Sequence, residues 1–195
     1  MKKGIRGLVP AIAALSAAFA LKAVAVTTPV ELSLICPPLS IPWCKDVSGL
    51  RLDLLSGINE KVYGLDIGTL ANIAESDALG LEICGFYNRV HRGVGLVQFA
   101  GLMNRCDDDY RGMQAAAIYN DVGGMMSGVA LAAMNVTKEL HGLQIGVFNT
   151  TDRLVGMQLG LVNFAEDSER GVQVGLVNIM PMARLPVNVI VNIGF

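Results

Sequence analysis

Charge of one dominant sign is missing from this chain. Its 15 lysines and arginines stand against 17 aspartates and glutamates, a net charge of −2, and the basic residues are scattered. A nucleic-acid backbone is held by a stripe of basic residues, so nucleic acid is not an expected partner. Beyond the first residues there is no run of the ~18 uninterrupted apolar residues that a membrane helix requires. Aromatic residues make up only 6% of the chain, few for the two interfacial girdles of a membrane barrel.

Catalytic signatures are missing as well. There is no Gly-x-Ser-x-Gly elbow, and Ser56-Gly and Ser127-Gly lack partners. Gly123-Gly-Met-Met-Ser-Gly128 lacks the lysine of a phosphate loop, and Gly93-Val-Gly-Leu-Val-Gln sits in a repeat phrase with no helix after it. The two histidines, His91 and His141, lie in connectors three repeat units apart and read as surface residues. Asp107, Asp108 and Asp109 form the one acidic run, whereas a calcium-binding β-roll needs such a run at every repeat. The expectation is a non-enzymatic protein with no cofactor and no metal.

What is present is a phrase. Gly142-Leu-Gln-Ile-Gly-Val-Phe-Asn149 returns as Gly156-Met-Gln-Leu-Gly-Leu-Val-Asn163 and as Gly171-Val-Gln-Val-Gly-Leu-Val-Asn178. The repeated positions are Gly142, Gln144, Gly146 and Asn149, then Gly156, Gln158, Gly160 and Asn163, then Gly171, Gln173, Gly175 and Asn178. Upstream the asparagine recurs at Asn59, Asn72, Asn88, Asn104, Asn120 and Asn135, and downstream at Asn192, giving ten units of 13–16 residues. A fixed period of this kind marks a repeat architecture spanning residues 49–195. Asn135-Val-Thr and Asn149-Thr-Thr match the glycosylation triplet, but their asparagines are the repeat's own corner residues.

Within the phrase, bulky apolar and small or polar residues alternate with period two, the pattern of a β-strand. This predicts an all-β protein with Leu143, Ile145 and Val147 turned toward a core. Gln144, Gln158 and Gln173 then read as a solvated face or a binding ladder. Two architectures fit. In a β-solenoid each unit is one parallel coil and equivalent residues stack ~4.8 Å apart. In an up-and-down outer-membrane barrel each unit is one antiparallel strand. Connectors of even length and phrases that make most sense in register favour the solenoid. An even unit count and the terminal alternation Val187, Val189, Val191, Ile193, Phe195 speak for the barrel. In a solenoid, Ile145→Asp would bury a charge and unfold the chain.

Residues 1–25 read as a secretory signal peptide. Lys2, Lys3 and Arg6 precede an apolar run from Leu8 to Ala20 that closes on the small-x-small site Ala18-Phe-Ala20, with Leu21-Lys-Ala23 or Ala23-Val-Ala25 as later sites. Residues 26–48 do not repeat, hold four of the seven prolines and the single tryptophan, and are placed to cap the stack. Cys36 and Cys44 bracket the proline-rich stretch and could close a small disulfide ring, which export into an oxidising compartment would permit. Cys84 and Cys106 either pair across a coil edge or stay as buried thiols.

The phrase, with its relatives at Gly156 and Gly171, resembles the Gly-Leu-Gln-Ile-Gly-Leu-x-Asn repeats of bacterial surface repeat-containing proteins first named from leptospiral genomes. The likeness covers residues 49–195 and is sharpest over 128–180. The closing Leu185-Pro pattern up to Asn192 is similar to the way those proteins end. Gly112-Met-Gln-Ala-Ala-Ala-Ile-Tyr-Asn120 departs from the pattern by an extra residue and a lost second glycine. The resemblance implies a surface or exported location and brings no assigned activity. The expected protein is thus an exported repeat module of a Gram-negative-type envelope, located at the cell surface, outer membrane or periplasm. Its expected partners are an envelope or extracellular component or other copies of itself, and membrane association is open.

Overall fold

The structure, a computed structural model, describes residues 27–35, 39–41 and 46–194. The leader, Cys36, Cys44 and Phe195 lie outside these residues, and with them the expected Cys36–Cys44 disulfide. The described chain has no helix, and so none long and apolar enough to cross a membrane. Thirteen strands follow one another: β1 (Thr27–Ile35), β2 (Leu39–Ile41), β3 (Asp46–Asn59), β4 (Lys61–Gly68), β5 (Ala71–Cys84), β6 (Tyr87–Ala100) and β7 (Met103–Cys106). After these come β8 (Tyr110–Ala116), β9 (Tyr119–Leu131), β10 (Met134–Ile145), β11 (Phe148–Leu159), β12 (Val162–Ile179) and β13 (Val187–Gly194).

The pairing register is the repeat itself. Asn135 stands beside Asn149 and Gln144 beside Gln158, one unit further along the chain, and Asn149 and Gln158 stand in turn beside Asn163 and Gln173. A strand that pairs in parallel with its own next repeat is one coil of a solenoid. Among the described residues only the end pairs, β1 with β2 and β12 with β13, are antiparallel. An up-and-down barrel requires antiparallel neighbours throughout, so the barrel alternative fails and the fold is a β-solenoid.

Segment 26–48, expected to be a cap outside the repeat, contains β1, which is itself a rung. Glu31 pairs with Arg51 in parallel register, and β2 then folds back on the open side. Eight of the ten asparagines share one column, from Asn72 to Asn178. The two outer ones do not. Asn59 stands beside Ala74, and Asn192 stands on the antiparallel β13 beside Gln173.

The glycines of the phrase have two separate reasons. The first turns the strand through a bend: Gly142 has φ +149° and Gly156 has φ +136°. A Cβ on Gly156 would also lie 2.1 Å from the carbonyl oxygen of Gly142 in the coil before it. The second glycine makes room for the asparagine. A Cβ on Gly160 would lie 2.6 Å from Asn149 Nδ2, and one on Gly175 would lie 2.6 Å from Asn163 Nδ2.

Candidate functional site

The orientation of the alternating residues is the reverse of the sequence expectation. Gln144, Gln158 and Gln173 are fully buried, whereas Ile145 is 37% exposed and Val147 39%. Leu143 is half-buried on the outer surface. Period-two alternation assigns residues to two faces but does not say which face is inside. Burial of a lone amide would be costly, but stacked amides satisfy one another.

The asparagine column shows this directly. Each Nδ2 donates to the Oδ1 of the next rung at 2.8–3.0 Å, from Asn88 through Asn104, Asn120, Asn135, Asn149 and Asn163 to Asn178. Each also caps a backbone carbonyl, as Asn149 does at Leu159. The glutamine column does the same: Gln173 donates to Gln158, and Gln158 to Gln144, both at 2.8 Å. The ladder breaks at Ala130, which occupies the glutamine slot between Gln114 and Gln144. Beyond the break Gln114 donates to Gln98 at 2.9 Å. The apolar core is a separate, narrow column between the amide ladders. It is led by Tyr110, Met126, Leu140 and Leu154, all fully buried.

Toward the amino-terminal end the glutamine slot becomes charged, with Glu31, Arg51, Asp66 and Glu82 in successive rungs, followed by Gln98. Arg51 donates from Nε to Asp66 at 2.8 Å and from Nη1 to Asn59 at 2.7 Å, and it pairs with Asp53 at 2.9 Å. Gln98 donates to Glu82 at 2.6 Å. Burial pushes the Glu82 carboxyl up to about 8, helped by the charge of Asp66. Burial likewise raises Asp66 to about 6, against the attraction of Arg51. The asparagine period passed over this column. Its signal lay in the degenerate phrases Gly49-Leu-Arg-Leu, Gly64-Leu-Asp-Ile and Gly80-Leu-Glu-Ile, which put Arg51, Asp66 and Glu82 where glutamine stands later.

With amides and charges inside, the aliphatic residues line the outside. The positions just before and just after the glutamine slot form two outward columns that run from Val30 and Leu32 to Ile193 and Val191. Over eleven rungs, all 22 of these positions are apolar. A third row continues round the corner, with Leu70, Phe86, Leu102, Ile118, Val147 and Leu161 each at least 39% exposed. At ~4.8 Å per rung and ~6.8 Å between columns, the surface is about 48 Å long, and the two columns with the row round the corner span on the order of 600 Å². The largest apolar patch of an ordinary monomer is about 300–600 Å².

The other broad side of the coil is mixed: the column Tyr87, Met103, Tyr119, Met134, Phe148 and Val162 is apolar or aromatic, with Phe148 51% exposed, and charges stand beside it. Arg89 and Arg105 both bind Asp107, at 2.7 and 3.0 Å, and Arg105 also reaches Asp121. Asp109 accepts from the amide of Met125 at 2.8 Å, so part of the acidic run is engaged within the protein. His141 meets Glu139 at 2.9 Å, and His91, three coils away, is on the surface as expected. Cys84 and Cys106 are free and buried, which settles their alternatives. Burial pushes the Cys106 thiol up to about 12. Asn135 and Asn149 point inward and are at most 2% exposed, so neither triplet presents its amide to solvent.

No family model, no curated protein and no solved structure matches this chain.

Proposed function

We propose that this protein is an exported, non-enzymatic repeat module of a bacterial envelope, and that it acts by docking through its aliphatic face. The observation that carries the docking half is the unbroken row of 22 outward apolar positions on one side of the coil. A surface of that size left in water favours association with a partner or a membrane. Export is supported by the leader at residues 1–25 and by the resemblance to surface repeat proteins. Amide ladders give the coil a rigid interior, which suits a structural part that presents a fixed surface.

The test is fractionation of cells expressing the full chain, with the mass of the product measured. The reading expects a shortened product, cleaved between about residue 20 and residue 26, in the envelope or outside the cell. A full-length product in the cytosol overturns it.

A further inference from the structure

We propose that the aliphatic face docks on the hydrocarbon–headgroup boundary of a lipid bilayer, with the solenoid lying along the membrane rather than crossing it. The proposal rests on the reading of an exported envelope protein and names what the face meets.

The composition of the face decides between lipid and protein. A protein interface is only about 56–65% apolar and carries roughly ten hydrogen bonds that set its register. Here both outward columns are apolar at every rung, and the backbone polar groups between them are consumed in the sheet. Nothing on such a surface would fix the register of a second protein. Uniformly apolar bands are what lipid-facing surfaces show.

Shape points the same way. The apolar surface turns the corner through Phe86, Ile118 and Leu161, at 48%, 55% and 50% exposure. A flat second copy laid on the broad side would leave that row in water, whereas a fluid covers both sides of a corner. The opposite border of the face suits headgroups. Its row runs through Val94, Arg111, Ser127, His141, Val155 and Arg170; no carboxylate stands in the row, and the one that reaches it is Glu139, which meets His141. The charged pairs Arg89–Asp107 and Arg105–Asp121 lie on the far side. The arrangement resembles that of an interfacial amphipathic helix, built from strands: one face apolar at every rung in the boundary, and a mixed face that carries the charged pairs beside Met134 and Phe148 in water.

The experiment is flotation of the mature chain with phosphatidylcholine vesicles and with vesicles that also contain phosphatidylglycerol. The wild type floats with both and shows no preference for the anionic ones, because after residue 25 the chain carries 11 lysines and arginines (15 less the four of the leader) against 17 aspartates and glutamates. The double variant Leu131→Glu with Ile145→Glu loses about tenfold or more of its partition, because each charge would enter an apolar layer. The pair Thr150→Glu with Val136→Glu, on the other broad side, floats as the wild type does. Should the glutamates impair folding, Phe99→Trp and Phe164→Trp serve instead. Brominated lipid then quenches the first, over the Trp43 background, and spares the second.

A wild type that stays in the load overturns the proposal. So does flotation that the face variant leaves unchanged, or equal quenching at positions 99 and 164. A soluble dimer that the face variant splits, without vesicle binding, would show that a second copy takes the face instead. Each of these results leaves the fractionation result, and so the export reading, untouched.

Discussion

Gln158 donates its amide to the side-chain oxygen of Gln144 at 2.8 Å inside the coil, while the next residue, Ile145, is turned to solvent. That pair of orientations inverts the usual distribution of a soluble sheet. The interior is held by hydrogen-bonded amide columns with a thin apolar seam, and the bulk of the aliphatic side chains face outward.

The gap at Ala130 gives the first test of the ladder. Gln114 Oε1 receives no hydrogen bond from the described residues, and the rung that would supply one is Ala130. Ala130→Gln joins the two halves of the column and should stabilise the protein by about 1 kcal/mol, the net value of a typical hydrogen bond. A urea midpoint that falls instead would mean that the rung has no room for an amide.

The bend glycines should tolerate no side chain. In Gly156→Ala the new methyl would meet the Gly142 carbonyl oxygen at 2.1 Å, on a backbone at φ +136°. Both coils have to shift, and the expected loss is at least about 3 kcal/mol, at the large end of single-residue effects. Thermal unfolding of the purified variant measures it. A midpoint close to that of the wild type would refute the stacked glycine column.

Outward and inward apolar residues should respond oppositely to substitution. Ile145→Asp, at a position 37% exposed, should fold with a cost of no more than about 1 kcal/mol. This reverses the expectation drawn from alternation alone. Leu154→Ala, at a fully buried position, should cost about 2–5 kcal/mol. Denaturant titration of the two side by side gives the order of the costs, and the opposite order would return the aliphatic residues to the core.

The charged rungs make stability depend on pH. Burial pushes the Glu82 carboxyl up to about 8 in the folded chain, from the ordinary 4.5 of a free glutamate, so between those limits the folded state binds the extra proton. Its stability contribution is therefore fully present below about 4.5 and is lost as pH rises through about 8. Asp66, raised to about 6, adds a slope of the same sign at lower pH. Glu82→Gln should remove most of the upper slope and raise the unfolding midpoint in alkaline buffer. A midpoint that climbs with pH in the wild type would contradict the buried placement of this carboxyl.

Much of the fold was legible from the phrase alone. Recurrence of Gly142, Gln144, Gly146 and Asn149 at one period marked the coil, and alternation marked the strands. Even the reason for parallel stacking could be read, because Asn135, Asn149 and Asn163 do the same work only when they lie in register. What alternation could not supply is a direction. Gln144 and Ile145 sit on opposite faces in either arrangement, and the choice depends on whether each amide finds a partner one rung away. That partner belongs to another repeat, so it exists only once the stack is formed. The charged column was hidden for a related reason. Arg51, Asp66 and Glu82 look unlike one another in sequence and become one column only through the register of β3, β4 and β5. The barrel alternative survived the sequence because strand length and unit count fit it as well, and only the pairing direction separates the two.

The most direct test of the inverted interior is thiol labelling of two adjacent single variants, Gln144→Cys and Ile145→Cys, with a hydrophilic maleimide and without detergent or lipid. The account predicts rapid labelling at position 145 above the wild-type background. At position 144 it predicts protection that persists until the chain is unfolded. Rapid labelling at 144 with protection at 145 would contradict it, placing the amides in water and the aliphatic residues in the core.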